Sequence, residues 1–221
     1  VVYGIAIAGG LGTYLLLGQL VGGGMGMPRF ESAEVGNLEL TWLVPLSLIG
    51  TICGWLYFVS EHASEALAHA IGERPVVKAM LAGLALAICG TVLPYTMFAG
   101  ETQADVLMET YLTIPTGVLI ATGLVKAMLT PALINLGWRG GHFFPVIFSG
   151  VSLGYGLAIL TGADPVFCVA VCTASTMGAV MRQPVMVVGL LLMCFPLKGI
   201  ICMIIAAVIA AGIPLPKSLR K

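Results

Sequence analysis

Charged residues are scarce in this sequence. Lys, Arg, Asp and Glu make up 9% of its 221 residues, whereas hydrophobic residues make up 59% and the mean hydropathy is +1.05. Because so few charges leave too little polar surface to solvate a globular domain, we predict an all-α integral membrane protein covered by lipid. The formal net charge is zero, which excludes the basic surface that nucleic-acid binding requires.

Two further features are missing. The sequence starts at Val1 without an initiator methionine, a basic n-region or a small-residue cleavage site. We therefore expect a fragment that forms one domain or half of one. The six cysteines form no spaced framework, and Cys168 and Cys172 fall one helical turn apart within an apolar segment. We expect buried free thiols, with metal ligands or disulfides as the alternatives.

Long apolar segments dominate what is present. Segments such as 76–93 and 116–136 are apolar over most of a helical circumference, which is typical of membrane helices rather than of soluble core helices. We predict a single transmembrane domain, 1–221. Its expected helices are at about 1–20, 41–72, 76–93, 102–112, 116–136, 144–161, 165–181, 184–194 and 196–212.

The few charges suggest an orientation. Arg74 and Lys78 and the tail residues Lys217, Arg220 and Lys221 mark one side, whereas the 31–39 and 101–109 segments are acidic. Cytoplasmic loops of membrane proteins carry an excess of Lys and Arg. The C-terminus is therefore predicted to be cytoplasmic in a multi-pass protein of the cell membrane.

Glycine and proline interrupt many of the segments. Pro94 to Gly100, Gly162 to Pro165, Pro184 and Pro196 all break apolar stretches at what would be membrane depth. Backbone polar groups are not left bare in hydrocarbon, so such breaks must be buried in protein or line a polar cavity. Broken helices of this kind are typical of transporters and ion pathways.

The sharpest candidate site is the stretch from Gly137 to Pro145. Its glycines allow a tight backbone turn, and Pro145 suits the first turn of a helix because its missing N–H has no intrahelical partner there. The free N–H groups from Gly141 to Phe144 then point outward with the positive end of the helix dipole behind them. Such an end suits a dehydrated small anion, since it offers hydrogen-bond donors without a full charge that would hold the ion too tightly.

Close helix packing is the alternative interpretation of the same glycines. Gly137 and Gly141, and then Gly150 and Gly154, are each four residues apart. This spacing allows membrane helices to approach each other closely.

The stretch Gly141-His142-Phe143-Phe144-Pro145 resembles the GxFxP anion-filter motif of the CLC family of chloride channels and chloride/proton exchangers. Its context is similar too. Residues 151–156 resemble the small-residue helix of that family, and 177–184 resembles its Met-Gly-Ala…Arg-Ala-Pro segment. The likeness in order and hydropathy covers about residues 41–212.

The resemblance implies a fold and a function. It implies a homodimer with one anion pathway per subunit, each subunit built from two inverted halves with broken and tilted helices, of which this chain would be the second. The pathway would carry chloride or a similar small anion, and in exchangers protons as well. Within the free N–H groups of Gly141 to Phe144, the backbone amides of His142 and Phe143 would coordinate the central anion, and the Phe143 ring would help to shape the pathway. Segments 1–20 and 185–212 would lie at the dimer interface.

Two family motifs are not found in this sequence. Neither Gly-Ser-Gly-x-Pro nor the Gly-x-Glu-Gly-Pro stretch that holds the gating glutamate occurs, and the tyrosine that many members place after the last membrane helix has no counterpart. Channel and exchanger both remain open, and the gating residue is expected upstream of Val1.

Three side chains near the motif have more than one interpretation. The His142 ring could make anion binding dependent on pH, or it could turn away and hydrogen-bond within the protein. Arg139 could supply pathway electrostatics by raising the local anion concentration, or it could pair with an acid. Lys126, in the middle of a helix, has the same two interpretations, with snorkelling of its ammonium to the interface as a third.

Some features of the sequence also fit other function classes. Glu101, Asp105 and Glu109 repeat at helical spacing and could hold a divalent ion in a membrane-embedded enzyme, although a solvated face explains them as well. His62 and His69, near Glu61 and Glu65, suggest either a metal site or a polar helix end. Another inverted-repeat secondary transporter would also use broken helices. We expect an anion transporter that is not an enzyme and has no cofactor or metal site.

Overall fold

The computed structural model describes residues 28–216, together with Thr13, Leu16 and Leu219. The predicted helix 1–20 therefore lies outside the described residues apart from two positions, and so do the tail residues Lys217, Arg220 and Lys221 that contributed to the predicted orientation.

Within this part of the chain all regular secondary structure is helical. Two single 3₁₀ turns, Pro94–Thr96 and Tyr111–Thr113, flank the short third helix. The α-helices within residues 28–216 are α1 (Asn37–Ile71), α2 (Pro75–Val92), α3 (Glu101–Thr110), α4 (Thr116–Asn135), α5 (Phe143–Thr161), α6 (Pro165–Met181), α7 (Pro184–Leu191) and α8 (Ile200–Gly212).

Four of these helices are long and apolar enough to cross a membrane, namely α1, α2, α4 and α5. α6 and α8 are shorter apolar helices. All six cysteines are free, and five of them are buried within the apolar helices or the turn after α7.

Proline and acidic side chains set several helix starts. Pro75, Pro165 and Pro184 stand at the first position of their helices, where no N–H is needed. Asp164 caps α6, its carboxylate accepting the Phe167 N–H at 2.7 Å. Glu39 accepts the Gly36 N–H at 2.9 Å and the Asp164 N–H at 3.1 Å, so one carboxylate joins the start of α1 to the α5–α6 turn.

Two helix starts differ from the sequence expectation. α1 begins at Asn37 rather than near residue 41, because Glu39 joins the helix and satisfies the Gly36 N–H from inside its first turn. α8 begins at Ile200 rather than near 196. Residues 192–199 form turns, and Gly199 stands before the helix with φ of +94°, a conformation that glycine adopts without strain.

The helices around α5 and α6 form the buried centre. Gly150 of α5 lies against Thr173 and Gly154 lies against Val169, so α5 and α6 run in opposite directions. Gly50 of α1 lies against Ser175. Because Gly54, one turn later, meets Ala179, α1 runs in the same direction as α6.

α4 also runs opposite to α5. Gly123 of α4 lies beside Ser149, and the Leu119 carbonyl oxygen, one turn earlier, accepts the Ser152 hydroxyl at 2.8 Å. The start of α5 therefore lies at the same end of the bundle as the C-termini of α1, α4 and α6.

α2 and α3 are separated by an irregular segment, residues 93–100. Its backbone includes a left-handed Phe98, with φ of +57°, and a left-handed Gly100, with φ of +107°. A Cβ on Gly100 would lie 2.5 Å from the Phe148 Cβ, so this break packs directly against α5. The break is thus part of the helix bundle and not an outer loop.

Candidate anion site at the start of α5

α5 begins at the residue that follows His142. His142 is the N-cap, Phe143 is the first helical residue, and the His142 carbonyl oxygen accepts the Val146 N–H at 3.1 Å. Pro145 is therefore the third residue of the helix, still within the first turn, where an N–H has no intrahelical acceptor. In the part of the chain that the structure describes, no acceptor bonds the backbone N–H groups of residues 141–144.

Aromatic rings lie beside this helix end. The His142 and Phe143 rings stack on each other with centroids 4.6 Å apart, and the His142 ring lies 6.4 Å from that of Tyr57 on α1. All three side chains are at least partly buried. The arrangement therefore combines free N–H donors with half-buried rings, a setting in which a partly dehydrated anion can be bound.

The glycine pairs have different roles. Gly150 and Gly154 allow close packing, since a Cβ on either would lie within 2.5 Å of an α6 backbone atom. Gly137 and Gly141 have no atom within 4 Å of the corresponding position, and Gly137 has a left-handed φ of +100°. Close helix packing thus accounts for the second pair of glycines and leaves the first pair beside open space.

Arg139 is exposed and lies at the mouth of a cavity of about 310 Å³ beside Gly140 and Gly141. The cavity continues between α4 and the break of residues 93–100. The Arg139 side chain is therefore on the Gly141 side of the start of α5, whereas His142 and Phe143 lie toward α1.

Lys126 is the buried cation of α4. Its side chain is 4% exposed and lines the same cavity. Its ammonium donates to the Thr96 carbonyl oxygen at 2.7 Å and also to the Phe98 carbonyl oxygen. The ammonium thereby satisfies two backbone carbonyl oxygens of the break, which irregular backbone inside a membrane protein would otherwise leave without donors. The partners of Lys126 are thus neither an acid nor water at the interface, and none of the three sequence interpretations predicted them.

The other polar candidates lie apart from this site. His62 is within hydrogen-bonding distance of the Phe58 carbonyl oxygen, 3.0 Å from its Nδ1, on its own helix. On α3, partial burial raises the pKa of the Asp105 carboxyl, and the neighbouring charge of Glu109 raises it further. Among the described residues, no group of three or more His, Cys, Asp or Glu side chains is placed to hold a metal ion.

Comparison with known proteins identifies the family. The family model described as "Voltage gated chloride channel" matches residues 2–214. None of the curated proteins matches the sequence. Among solved structures, a CLC-type fluoride/proton antiporter matches with a TM-score of 0.71 at 20% sequence identity, over 88% of this chain and 49% of the antiporter chain.

The 221 residues therefore span about half the length of that antiporter and share its fold over the matched part. The predicted all-α membrane fold of CLC type is confirmed, because helices are the only regular secondary structure among the described residues and they superimpose on a CLC structure. Since the family model covers nearly the whole chain, this protein belongs to the voltage-gated chloride channel family.

Proposed function

We propose that this chain forms one half of the transport unit of an anion transporter, and that free N–H groups at the start of α5 bind the ion. The ion is chloride or a similar small anion, and it crosses either passively or in exchange for protons. Fluoride is a candidate because the matched structure is that of a fluoride/proton antiporter. The unbonded N–H groups of residues 141–144 are the observation that carries the proposal.

Helix electrostatics support this assignment. The N-terminus of an α-helix carries an effective charge of about +0.5, concentrated on its free N–H groups. That charge attracts an anion less strongly than a lysine or arginine in direct contact would, so the ion can both enter and leave. The neighbouring Arg139, exposed at the cavity mouth, would raise the local anion concentration without contacting the bound ion.

The assembly is part of the same proposal. We propose a homodimer in the cell membrane, with the C-terminus in the cytoplasm and with α7, α8 and residues 1–20 at the interface. Large apolar side chains on and between α7 and α8 are exposed and support this assignment, with Val185 88%, Leu197 71% and Ile201 68% exposed. A surface of this kind is covered either by lipid or by another subunit.

An alanine substitution at Gly141 tests the binding site. A Cβ at this position meets no atom within 4 Å, so Gly141→Ala should fold normally while its methyl group fills space beside the free N–H groups. Gly83→Ala on α2 is the matched control, since its Cβ also meets no atom within 4 Å. Loss of one hydrogen bond to a charged ion corresponds to about 1.5–3 kcal/mol, so anion flux should fall about tenfold or more in Gly141→Ala alone.

Flux is measured as chloride or fluoride efflux from liposomes with ion-selective electrodes, under imposed proton and voltage gradients. Because the chain spans half of the antiporter, the variants are compared in the complete polypeptide that contains these residues. Absence of anion flux under every gradient would contradict the proposed transport. Equal flux in Gly141→Ala and Gly83→Ala would contradict the proposed site. Flux that requires a sodium gradient would indicate a cation-coupled carrier instead.

A further inference from the structure

The cavity beside the start of α5 has features that a site for a small inorganic anion does not need. It is about 310 Å³ in volume and is lined by the break between α2 and α3, by the second half of α4, and by the segment before α5. This volume is near the lower end of the range of about 300–1,000 Å³ for small-molecule sites. It is large enough for an organic ligand of modest size.

The charge on the cavity wall is of one sign. Lys126 and Arg139 are the charged residues among its described lining residues, which include no acidic side chain. An ammonium group has three N–H donors, and Lys126 uses two of them on the carbonyl oxygens of Thr96 and Phe98. One donor remains for a ligand. Gly141, at the positive end of α5, also borders the cavity, so its wall favours an anionic group.

The remainder of the wall is mainly apolar and mostly aliphatic. Leu86, Met97, Leu129, Leu133 and Ile134 contribute flexible side chains to it. A chloride ion would leave this surface exposed to water, whereas an alkyl chain would cover it and gain about 0.8 kcal/mol for each buried CH₂. The wall therefore fits a ligand that has both an anionic head and an aliphatic body.

We infer that this cavity binds a medium-chain monocarboxylate. The carboxylate lies between the Arg139 guanidinium and the free donor of Lys126, and the alkyl chain lies along the α4 face formed by Leu129 and Leu133. The arrangement pairs a cationic fork with a carboxylate, a geometry in which arginine donates two hydrogen bonds. The inference does not depend on the proposed transport function. A ligand bound beside Gly141 would also change the electric field at the start of α5, and so would alter any anion binding there.

Trp138 provides a direct readout of occupancy, because it lines the cavity and is 46% exposed. The probe is ω-bromooctanoate, whose bromine quenches tryptophan fluorescence on contact, and the purified protein is held in lipid nanodiscs. We expect quenching that saturates and that disappears in Trp138→Phe, although two other tryptophans remain. The neutral ω-bromooctanamide should give only a weak, unsaturable decrease.

Substitutions of cavity residues distinguish specific binding of the probe in the cavity from its partitioning into lipid. Arg139→Gln changes an exposed side chain and should fold normally, and it should weaken the apparent affinity for ω-bromooctanoate about tenfold through loss of a charge-assisted pair. Lys78→Gln removes a cation outside this cavity and should leave the affinity unchanged. Lys126→Met should also weaken binding. Lys126→Met also leaves two backbone carbonyl oxygens without their donor, and this loss alone could unfold the protein. Arg139→Gln is therefore the decisive variant.

Three results would overturn the inference. They are quenching that never saturates, equal quenching by the acid and the amide, and equal affinity in the parent protein and Arg139→Gln. A further experiment uses nanodiscs that contain an anionic phospholipid in place of added ω-bromooctanoate. It distinguishes a lipid headgroup from a free carboxylate as the ligand. Protection of Trp138 by that lipid would assign the carboxylate position to a lipid headgroup and contradict a free carboxylate as the ligand. Anion flux is measured separately, so failure of one proposal is distinguishable from failure of the other.

Discussion

Replacing Gly154 by alanine should separate α5 from α6. The added Cβ would lie 2.5 Å from the Val169 Cα, 2.8 Å from the Val169 nitrogen and 2.9 Å from the Cys168 carbonyl oxygen. All three are backbone atoms, so no side-chain rotation relieves the overlap. The two helices must move apart where both are fully buried, and α6 in turn packs against α1.

The size of the effect follows from two opposing terms. Overpacking a well-packed interior costs about 1–3 kcal/mol, and contact with rigid backbone places this case near the upper value. Gly→Ala within a helix gains about 1 kcal/mol in helix propensity. Gly154→Ala should therefore lower the free energy of unfolding by about 2 kcal/mol. Gly83→Ala, with no atom within 4 Å of the new Cβ, should raise it by up to about 1 kcal/mol.

The difference between the two variants is the informative quantity, because the helix-propensity gain cancels and about 3 kcal/mol of steric cost remains. Unfolding is followed by far-ultraviolet circular dichroism during titration of dodecyl maltoside micelles with sodium dodecyl sulfate. Gly150→Ala, whose Cβ would lie 2.4 Å from the Thr173 Cα, should behave like Gly154→Ala. If Gly154→Ala were as stable as Gly83→Ala, the close approach of α5 and α6 would be wrong.

Two smaller predictions concern a helix cap and a left-handed residue. Asp164→Ala removes the carboxylate that accepts the Phe167 N–H, and it should lower the free energy of unfolding by about 1 kcal/mol in the same titration, with Asp164→Asn close to the parent. Arg182 has a left-handed φ of +54°, and its side chain donates to two carbonyl oxygens at the end of α8. Both Arg182→Gly and Arg182→Ala lose these bonds, but only glycine adopts the backbone angle without strain, so the glycine variant should be more stable by about 1 kcal/mol. A more stable alanine variant would refute the left-handed backbone.

Local sequence signals account for most of the helix boundaries. A proline without an N–H at the start of α2, α6 or α7 is a signal contained within a few residues, and Asp164 before Pro165 strengthens it. The start of α1 is less visible, because Glu39 is acidic and suggests a loop when its partners are unknown. Its carboxylate bonds the N–H groups of Gly36 and of Asp164, the second of which is 125 residues away in sequence.

Non-local contacts explain what the sequence does not show. The Lys126 ammonium bonds carbonyls 28 and 30 residues earlier in the chain, and backbone acceptors leave no mark in the amino-acid sequence. The same holds for the glycines. Gly141 and Gly154 are equivalent by spacing, and only the position of α6 shows that one packs against backbone while the other borders open space. The motif from Gly141 to Pro145 could be found from the sequence because its effects are local: glycine frees the backbone and proline restricts it.

The direction of α5 within the bundle affects how firmly an ion would be held at its start. α1, α4 and α6 run opposite to α5, so their dipoles point against the dipole of α5. Neighbouring helix dipoles of opposite direction partly cancel. The field at residues 141–144 is therefore a property of four helices together, and a shift of any one of them by a few ångströms would change the residence time of the ion without altering a single contact to it.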